Sequence, residues 1–573
     1  MKLNKIKAIV PAAALLLATG MTSCMSDLND GNIDPNAQSQ VNIKALYSKC
    51  YAGLIMEGND GDADFTIEDA GKSTLIRNVF NFNVLSTDEA ICWWSDGGIV
   101  EIGYNQCMPG TPTLRFLYYR LVSNISFCNH YLSLSEAQQD KAMLAEVRFI
   151  RAYNYLLMLD FFGDPAFTTE ISAETPKQAH AYNEKFNEGS TYTRAELLAM
   201  GREFLFNWVK DELLDAEADM IDAQARTDRD PNYGRADKAA AWLLLSRLYL
   251  NAGTYLNNDG QNNPYWKEAQ EYAERVINSD YKLFDDSRIS AEAKANGYQP
   301  YDLLFMGDNG SNGASCEAIL PLLQDGKITI GWGGSLFFVA AMWNDQMRTV
   351  TGLTAGTTEN AWAGMRCRPQ LIEKFTNNPA SFVDKTTAEI RAMGIDDRAL
   401  FWGKGFGDEK RTLDLGDNSG FYQGIVTTKW NNNYSTGGTP HDAQFVDTDF
   451  FLFRVAEAYL NAAEAALHLG DASKAKGYID AIRNRAHAGT STSYTLADVL
   501  DERAREFYFE GQRRTDLIRF NQFGGDQTYI WDYKGGFANG GTFEKYRNLF
   551  PLPSSEVMAN ENLTQIDGYP ETE

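Results

Sequence analysis

The chain has 573 residues, 44% hydrophobic and 23% charged, enough to bury a large core and too apolar for a disordered tail. Lys plus Arg number 52 against 77 Asp plus Glu, a net charge of −25 that repels phosphate backbones. No local basic patch offsets it, so nucleic acid is excluded as a partner.

In chain order, residues 1–23 read as a targeting segment: Lys2, Lys5 and Lys7, an apolar stretch from Ala8 to Leu17, then small residues at Ala18-Thr19-Gly20. The stretch is too short to span a bilayer. Met21-Thr22-Ser23-Cys24 resembles a bacterial lipobox, which makes Cys24 the acylated first residue of the mature chain. Two or three acyl chains anchor a protein stably where one does not. Residues 24–43, rich in Asn, Asp, Ser and Gln, suit a tether, and a single body is expected over 44–573. No later stretch is apolar for long enough to cross a membrane. The six further cysteines (50, 92, 107, 128, 316 and 367) are too sparse for a disulfide-built fold and read mostly as buried free thiols.

Helical periodicity dominates the body. Helices are predicted near 112–134, 136–162, 193–221 and 497–519. Ala241, Leu245, Leu248 and Ala252 form one stripe ending at Gly253, answered after a polar loop by Ala269, Tyr272, Ala273, Val276 and Ile277. Val455, Tyr459, Ala462, Ala466 and Leu469 form another, followed beyond Gly470-Asp471 by Ala472, Ala475, Ile479 and Ile482. The fold class is mainly α, a scaffold of tetratricopeptide-like helix pairs. Between about 284 and 450, Gly-, Asn- and Thr-rich segments predict long loops and short strands mounted on that scaffold, where functional residues concentrate.

Catalytic patterns are weak. The five histidines (130, 180, 441, 468 and 487) show no HExxH and no pair at ligand spacing, which argues against a His-based metal site. Gly71-Lys72-Ser73 lacks the first glycine of a P-loop, and Gly403, Gly405 and Gly407 have no nucleotide-binding context. No GxSxG elbow occurs. Among so many acids a carboxylate pair suited to glycoside hydrolysis remains open. Asp447 and Asp449, in Asp447-Thr448-Asp449, are candidate oxygen ligands for a structural calcium ion; the competing reading is a capping or solvated pair.

Several stretches together resemble the SusD/RagB family of outer-membrane nutrient-binding lipoproteins: Gly234-Arg235-Ala236-Asp237-Lys238 with Arg247-Leu248-Tyr249-Leu250-Asn251-Ala252-Gly253, Asp447-Thr448-Asp449 with Leu452 to Leu460, Ala504-Arg505-Glu506-Phe507 with Arg513-Arg514, and Pro551-Leu552-Pro553. Asp27 and Asp30, just after Cys24, also resemble the acidic export signals of surface lipoproteins in Bacteroidota. These are scaffold motifs, and Arg513 and Arg514 beside Asp516 and Glu510 read as buried ion pairs. The resemblance implies a glycan-capturing protein at the cell surface, without enzyme activity, partnered by a TonB-dependent SusC-like transporter.

Carbohydrate sites need flat aromatic faces with polar groups at the rim. Trp94, Trp332 and Trp362 lie in loop-like segments, and Trp332 sits among Gly331, Gly333 and Gly334, an unnatural setting for a core residue. The resemblance places these three on the aromatic arc of starch-binding relatives, with Trp332 where the archetype has Tyr. It makes Arg77 a hydrogen-bonding residue and Asp69 its acidic companion. Those relatives carry an asparagine where this chain has Gly97, and Asp96 or Ser95 is the candidate replacement. The expected ligand is therefore a starch-like α-glucan. A fructan or β-glucan, a structural lid without sugar affinity and a cryptic glycosidase are the competing readings.

Overall fold

The computed structural model describes residues 41–58, 62–344, 347–348, 355–357, 359–405, 410–416 and 423–571. Cys24, the targeting segment, most of the tether and Gly407 lie outside the described residues. Met1–Leu46 and Tyr47–Glu573 form separate units. Among the described residues no helix is long and apolar enough to cross a membrane, and Cys50, Cys92, Cys107, Cys128, Cys316 and Cys367 are free thiols.

The principal helices are α1 (Ile43–Ala52), α2 (Leu75–Phe80), α3 (Pro112–Ser133), α4 (Lys141–Phe162), α5 (Arg194–Glu217), α6 (Lys238–Leu250), α7 (Ala252–Asn257), α8 (Trp266–Ile277), α9 (Ser335–Met342), α10 (Val455–His468), α11 (Ala472–Arg485), α12 (Leu496–Phe507) and α13 (Arg513–Arg519). Their starts are chemically marked. Thr193 with Glu196 and Thr495 with Asp498 form reciprocal capping boxes. Asp237, the acid of the Gly-Arg-Ala-Asp stretch, accepts from the amides of Ala239 and Ala240 at the start of α6. Helix α6 is then buried on nearly every side, which places it at the centre. Packing runs in sequence, α3 on α4, α4 on α5, α5 on α6, α6 on α8, α8 on α10 and α10 on α11, the stacked-pair arrangement that the stripes predict.

Four details depart from the sequence pattern. The helix broken at Asn251 resumes as α7 and runs through Gly253. Leu469 caps α10 just past its last turn and is exposed, as is Ala472 at the first position of α11. The helix expected over 497–519 is two, because Phe509 and Gly511 take positive φ (62° and 80°) and turn the chain between α12 and α13.

Among the described residues six short strands form three antiparallel pairs: β1 (Ala90–Cys92), β2 (Ala318–Leu322), β3 (Met365–Cys367), β4 (Phe401–Trp402), β5 (Val426–Thr427) and β6 (Phe450–Arg454), paired β1–β3, β2–β6 and β4–β5. Two of these pairs set the candidate site. In β1–β3, Cys92 opposes Met365 and the Trp93 amide donates to the Gly364 carbonyl at 3.2 Å. In β2–β6, Leu322 opposes Phe450, so the loop leaving β2 and the segment entering β6 emerge side by side.

Candidate functional site

Trp94 follows β1 and Trp362 precedes β3, so the strand pairing that aligns Cys92 with Met365 brings these distant tryptophans together. Their ring centroids lie 6.3 Å apart at 60°. Gly364 permits this approach, because a Cβ there would lie 2.1 Å from Cε2 of Trp94. Trp362 Nε1 donates to Asn360 Oδ1 at 3.1 Å, and Asn360 donates to the Gln444 carbonyl at 2.9 Å. The next residue, Phe445, meets Trp332 edge-on at 5.3 Å. A continuous chain of contacts thus runs from Trp94 through Trp362, Asn360 and Phe445 to Trp332.

Trp332, 37% exposed, is the most exposed of the eleven tryptophans, while Trp94 and Trp362 are half-buried. Its backbone is fixed although its ring is not covered. The amides of Trp332 and Gly333 donate to the two oxygens of buried Glu57 at 2.6 and 3.4 Å. Thr74 Oγ1 donates to the Gly333 carbonyl at 2.7 Å. Gly333 allows the contact, since a Cβ there would meet the Gly71 carbonyl oxygen at 2.1 Å. Burial pushes the Glu57 carboxyl up, opposed by those amide donors.

Arg77, on α2, is buried with its guanidinium 4.7 Å from the Phe337 centroid; the Trp94 ring lies 6.2 Å from the same ring. Burial pushes the guanidinium pKa down, and Asp69 and Asp96 oppose that. Both acids have their own ion pair with Lys72, Asp96 at 2.5 Å and Asp69 at 3.6 Å. Asp69 therefore favours the charge of Arg77 from a distance, and Lys72, which the sequence offered only as a failed P-loop, is the shared cation.

The candidate calcium residues fasten the loop that carries Trp332. Asp449 Oδ1 accepts from the Gln324 amide and Oδ2 from the Tyr233 hydroxyl, both at 2.8 Å. Asp447 accepts from the amides of Gly326 and His441, both at 2.9 Å, and from the Tyr434 hydroxyl at 3.1 Å. Asp449 is pushed up to about 7 by burial and then by Asp228 and Asp447. A hard cation suits such an accumulation of carboxylates. His441 Nδ1 lies 3.0 Å from both Asp325 and Asp447, near enough for the three side chains to share a metal ion although the histidines show no ligand spacing in sequence.

The arginines of the last helices are buried ion pairs, with partners other than those adjacent in sequence. Arg513 is held by Asp88 at 2.8 and 2.7 Å. Arg514 reaches the Asn548 carbonyl and Asp160. Asp516 pairs with Arg503 and Arg519, and Glu510 with Lys429 and Arg454.

The chain is 35% identical to the starch-binding protein SusD of Bacteroides thetaiotaomicron, over 99% of its own length and all of the relative's. It belongs to the SusD family. A sequence profile of the SusD family matches residues 341–569. Solved SusD-like structures share the fold: a SusD-like protein of Bacteroides fragilis has a TM-score of 0.62 at 18% identity, covering 94% of this chain and 99% of that one. The surface glycan-binding protein A of Bacteroides uniformis also gives 0.62 at 18%, covering 91% and 98%. The residues that sequence reasoning missed here, Glu57, Phe337, Asn360 and Phe445, carry no local signature, since each is an ordinary residue made relevant by partners far along the chain.

Proposed function

We propose that the chain captures starch-like α-glucan at the cell surface, anchored through Cys24 in the outer membrane, and delivers it to a TonB-dependent transporter without cleaving it. The observation that carries the reading is the contact chain from Trp94 through Trp362 to Trp332, in a protein 35% identical over nearly its whole length to a starch-binding relative. Half-covered rings offer flat faces to the C–H face of pyranoses, and Arg77, Asp69 and Asp96 stand nearby as polar groups for hydroxyls. Calcium at Asp447 and Asp449 belongs to the same reading: it relieves the repulsion among carboxylates and stiffens the junction between the Trp332 loop and β6.

The test is calorimetry of the chain from residue 25 onward against amylopectin, pullulan, maltoheptaose, dextran, levan and a β-glucan, with and without calcium, with Trp332→Ala alongside. Binding to α-1,4-glucans that falls at least about tenfold in the variant, about 1.4 kcal/mol, with the sugar recovered intact, is expected. A preference for levan or β-glucan replaces the substrate. Binding to none favours a structural lid, and new reducing ends would establish a glycosidase. Identical curves with and without calcium remove the cation.

A further inference from the structure

Two of the thiols meet across neighbouring helices. The end of α1 runs antiparallel to the second half of α3, and three contacts fix the alignment. The Tyr47 and Tyr131 rings lie 6.0 Å apart, Lys49 Nζ sits 5.4 Å from the Phe127 centroid, and Asn124 Nδ2 donates to the Gly53 carbonyl at 3.0 Å. Cys50 stands one turn beyond Tyr47 and Cys128 one turn before Tyr131, so the same alignment sets Cys50 against Cys128. Their thiols hydrogen-bond to each other, with Cys50 1% and Cys128 0% exposed. Gly53 lets the helices come this close, since a Cβ there would lie 2.3 Å from Asn124 Oδ1. A disulfide needs Cβ atoms about 3.5–4.5 Å apart, and thiols already in hydrogen-bond contact on closely packed helices come near that spacing. Cys92 and Cys367 share the β1–β3 ladder but oppose Met365 and Ala90 rather than each other. Nothing in the sequence marks Cys50 and Cys128 as a pair, because they stand 78 positions apart.

We propose that Cys50 and Cys128 are joined by a disulfide in the exported protein, a covalent staple between α1 and α3. The inference rests on the export read from residues 1–23, because disulfides form and persist in oxidising compartments. One cysteine thiolate attacks the S–S bond of a periplasmic thiol–disulfide oxidoreductase, giving a mixed disulfide, and the other then displaces the oxidoreductase sulfur. The two thiols give up two protons and two electrons, one S–S bond forms, and the oxidoreductase disulfide is reduced to two thiols. The step precedes the packing of α1 on α3: burial pushes the Cys128 thiol well above its ordinary range, and the thiolate is the nucleophile. Once packed, both sulfurs are shut away from reductants. The loop closed in this way carries Glu57, Arg77 and Trp94, and closing so long a loop removes many conformations from the unfolded chain.

The test uses the lipoprotein recovered from the membrane fraction, unfolded in guanidinium chloride with iodoacetamide and no reductant. Four of the six thiols are expected to be alkylated. Trypsin is expected to release residues 50–72 joined to residues 121–141, a species that dithiothreitol splits. Cys50→Ala, Cys128→Ala and the double variant are each expected to lower the midpoint of thermal unfolding by the same amount, roughly 4 °C, because any of them removes the one bond. Six alkylated thiols, a cross-link between other cysteines, or losses that add in the double variant overturn the disulfide and leave export standing. Protein confined to the cytoplasm with its targeting segment intact overturns both.

Discussion

Glu57 decides the position of the most exposed tryptophan. It is fully buried, and it satisfies two adjacent backbone amides in a loop whose glycines leave no side chains to pack. Glu57→Ala removes both acceptors and leaves those amides unpaired beneath the ring, so a loss of about 1–3 kcal/mol in stability is expected. The loop then loses its anchor and glucan affinity falls with it. Glu57→Gln retains an acceptor for the Trp332 amide and is expected to keep most of both. Thermal unfolding together with calorimetry on the two variants checks this; equal affinity of Glu57→Ala and wild type would mean that Thr74 alone holds the loop. The exposure of Trp332 was legible in the sequence, because a tryptophan among three glycines has little to bury it. The agent that holds it was not, since Glu57 lies 275 residues away and looks like any acid.

At the scale of elements, the helix pairs were legible because period and capping agree, as at Ala475, Ile479 and Ile482 behind the Asp471 cap. The charges on α12 were not, because a buried glutamate reads like a solvated one. Glu506 is fully buried among Arg398, Arg454 and Arg485, and Glu502 meets Arg398, Arg483 and Arg505. Burial alone would raise both carboxyls, but the arginines overcome it, holding Glu506 far below its ordinary range and Glu502 down to about 2 from 4.5. A carboxyl lowered in the folded state contributes stability that is full above its unfolded pKa and is lost as pH falls through its folded one. Stability is therefore expected to hold near neutrality and to decline below about pH 4.5, toward pH 2. Glu506→Gln leaves three buried guanidinium groups short of a charge, which costs about 3–5 kcal/mol, and flattens the acid limb. Urea titrations at pH 7 and pH 4 measure both effects; a variant as stable as wild type at pH 7 would show that the arginines find other partners.

For the whole molecule the question is how a body with net charge −25 and no spanning helix among its described residues stays at a membrane. Its net charge opposes electrostatic attraction to an anionic lipid surface, and among the described residues no helix is long and apolar enough to cross a membrane. The acylation proposed at Cys24 accounts for such anchoring, since two or three chains on one residue hold stably where a single chain would leave. The candidate binding residues from Asp69 to Phe445 all fall within Tyr47–Glu573, in the unit apart from the one that holds Cys24. Cys24→Ala is accordingly expected to abolish labelling by radioactive palmitate and to move the protein from the membrane fraction to the soluble one. The purified variant should bind α-glucan with unchanged affinity, while cells carrying it lose starch capture at their surface. A variant that stays with the membrane would place the anchoring elsewhere in the chain, and one that lost sugar affinity in solution would tie the site to the acylated terminus.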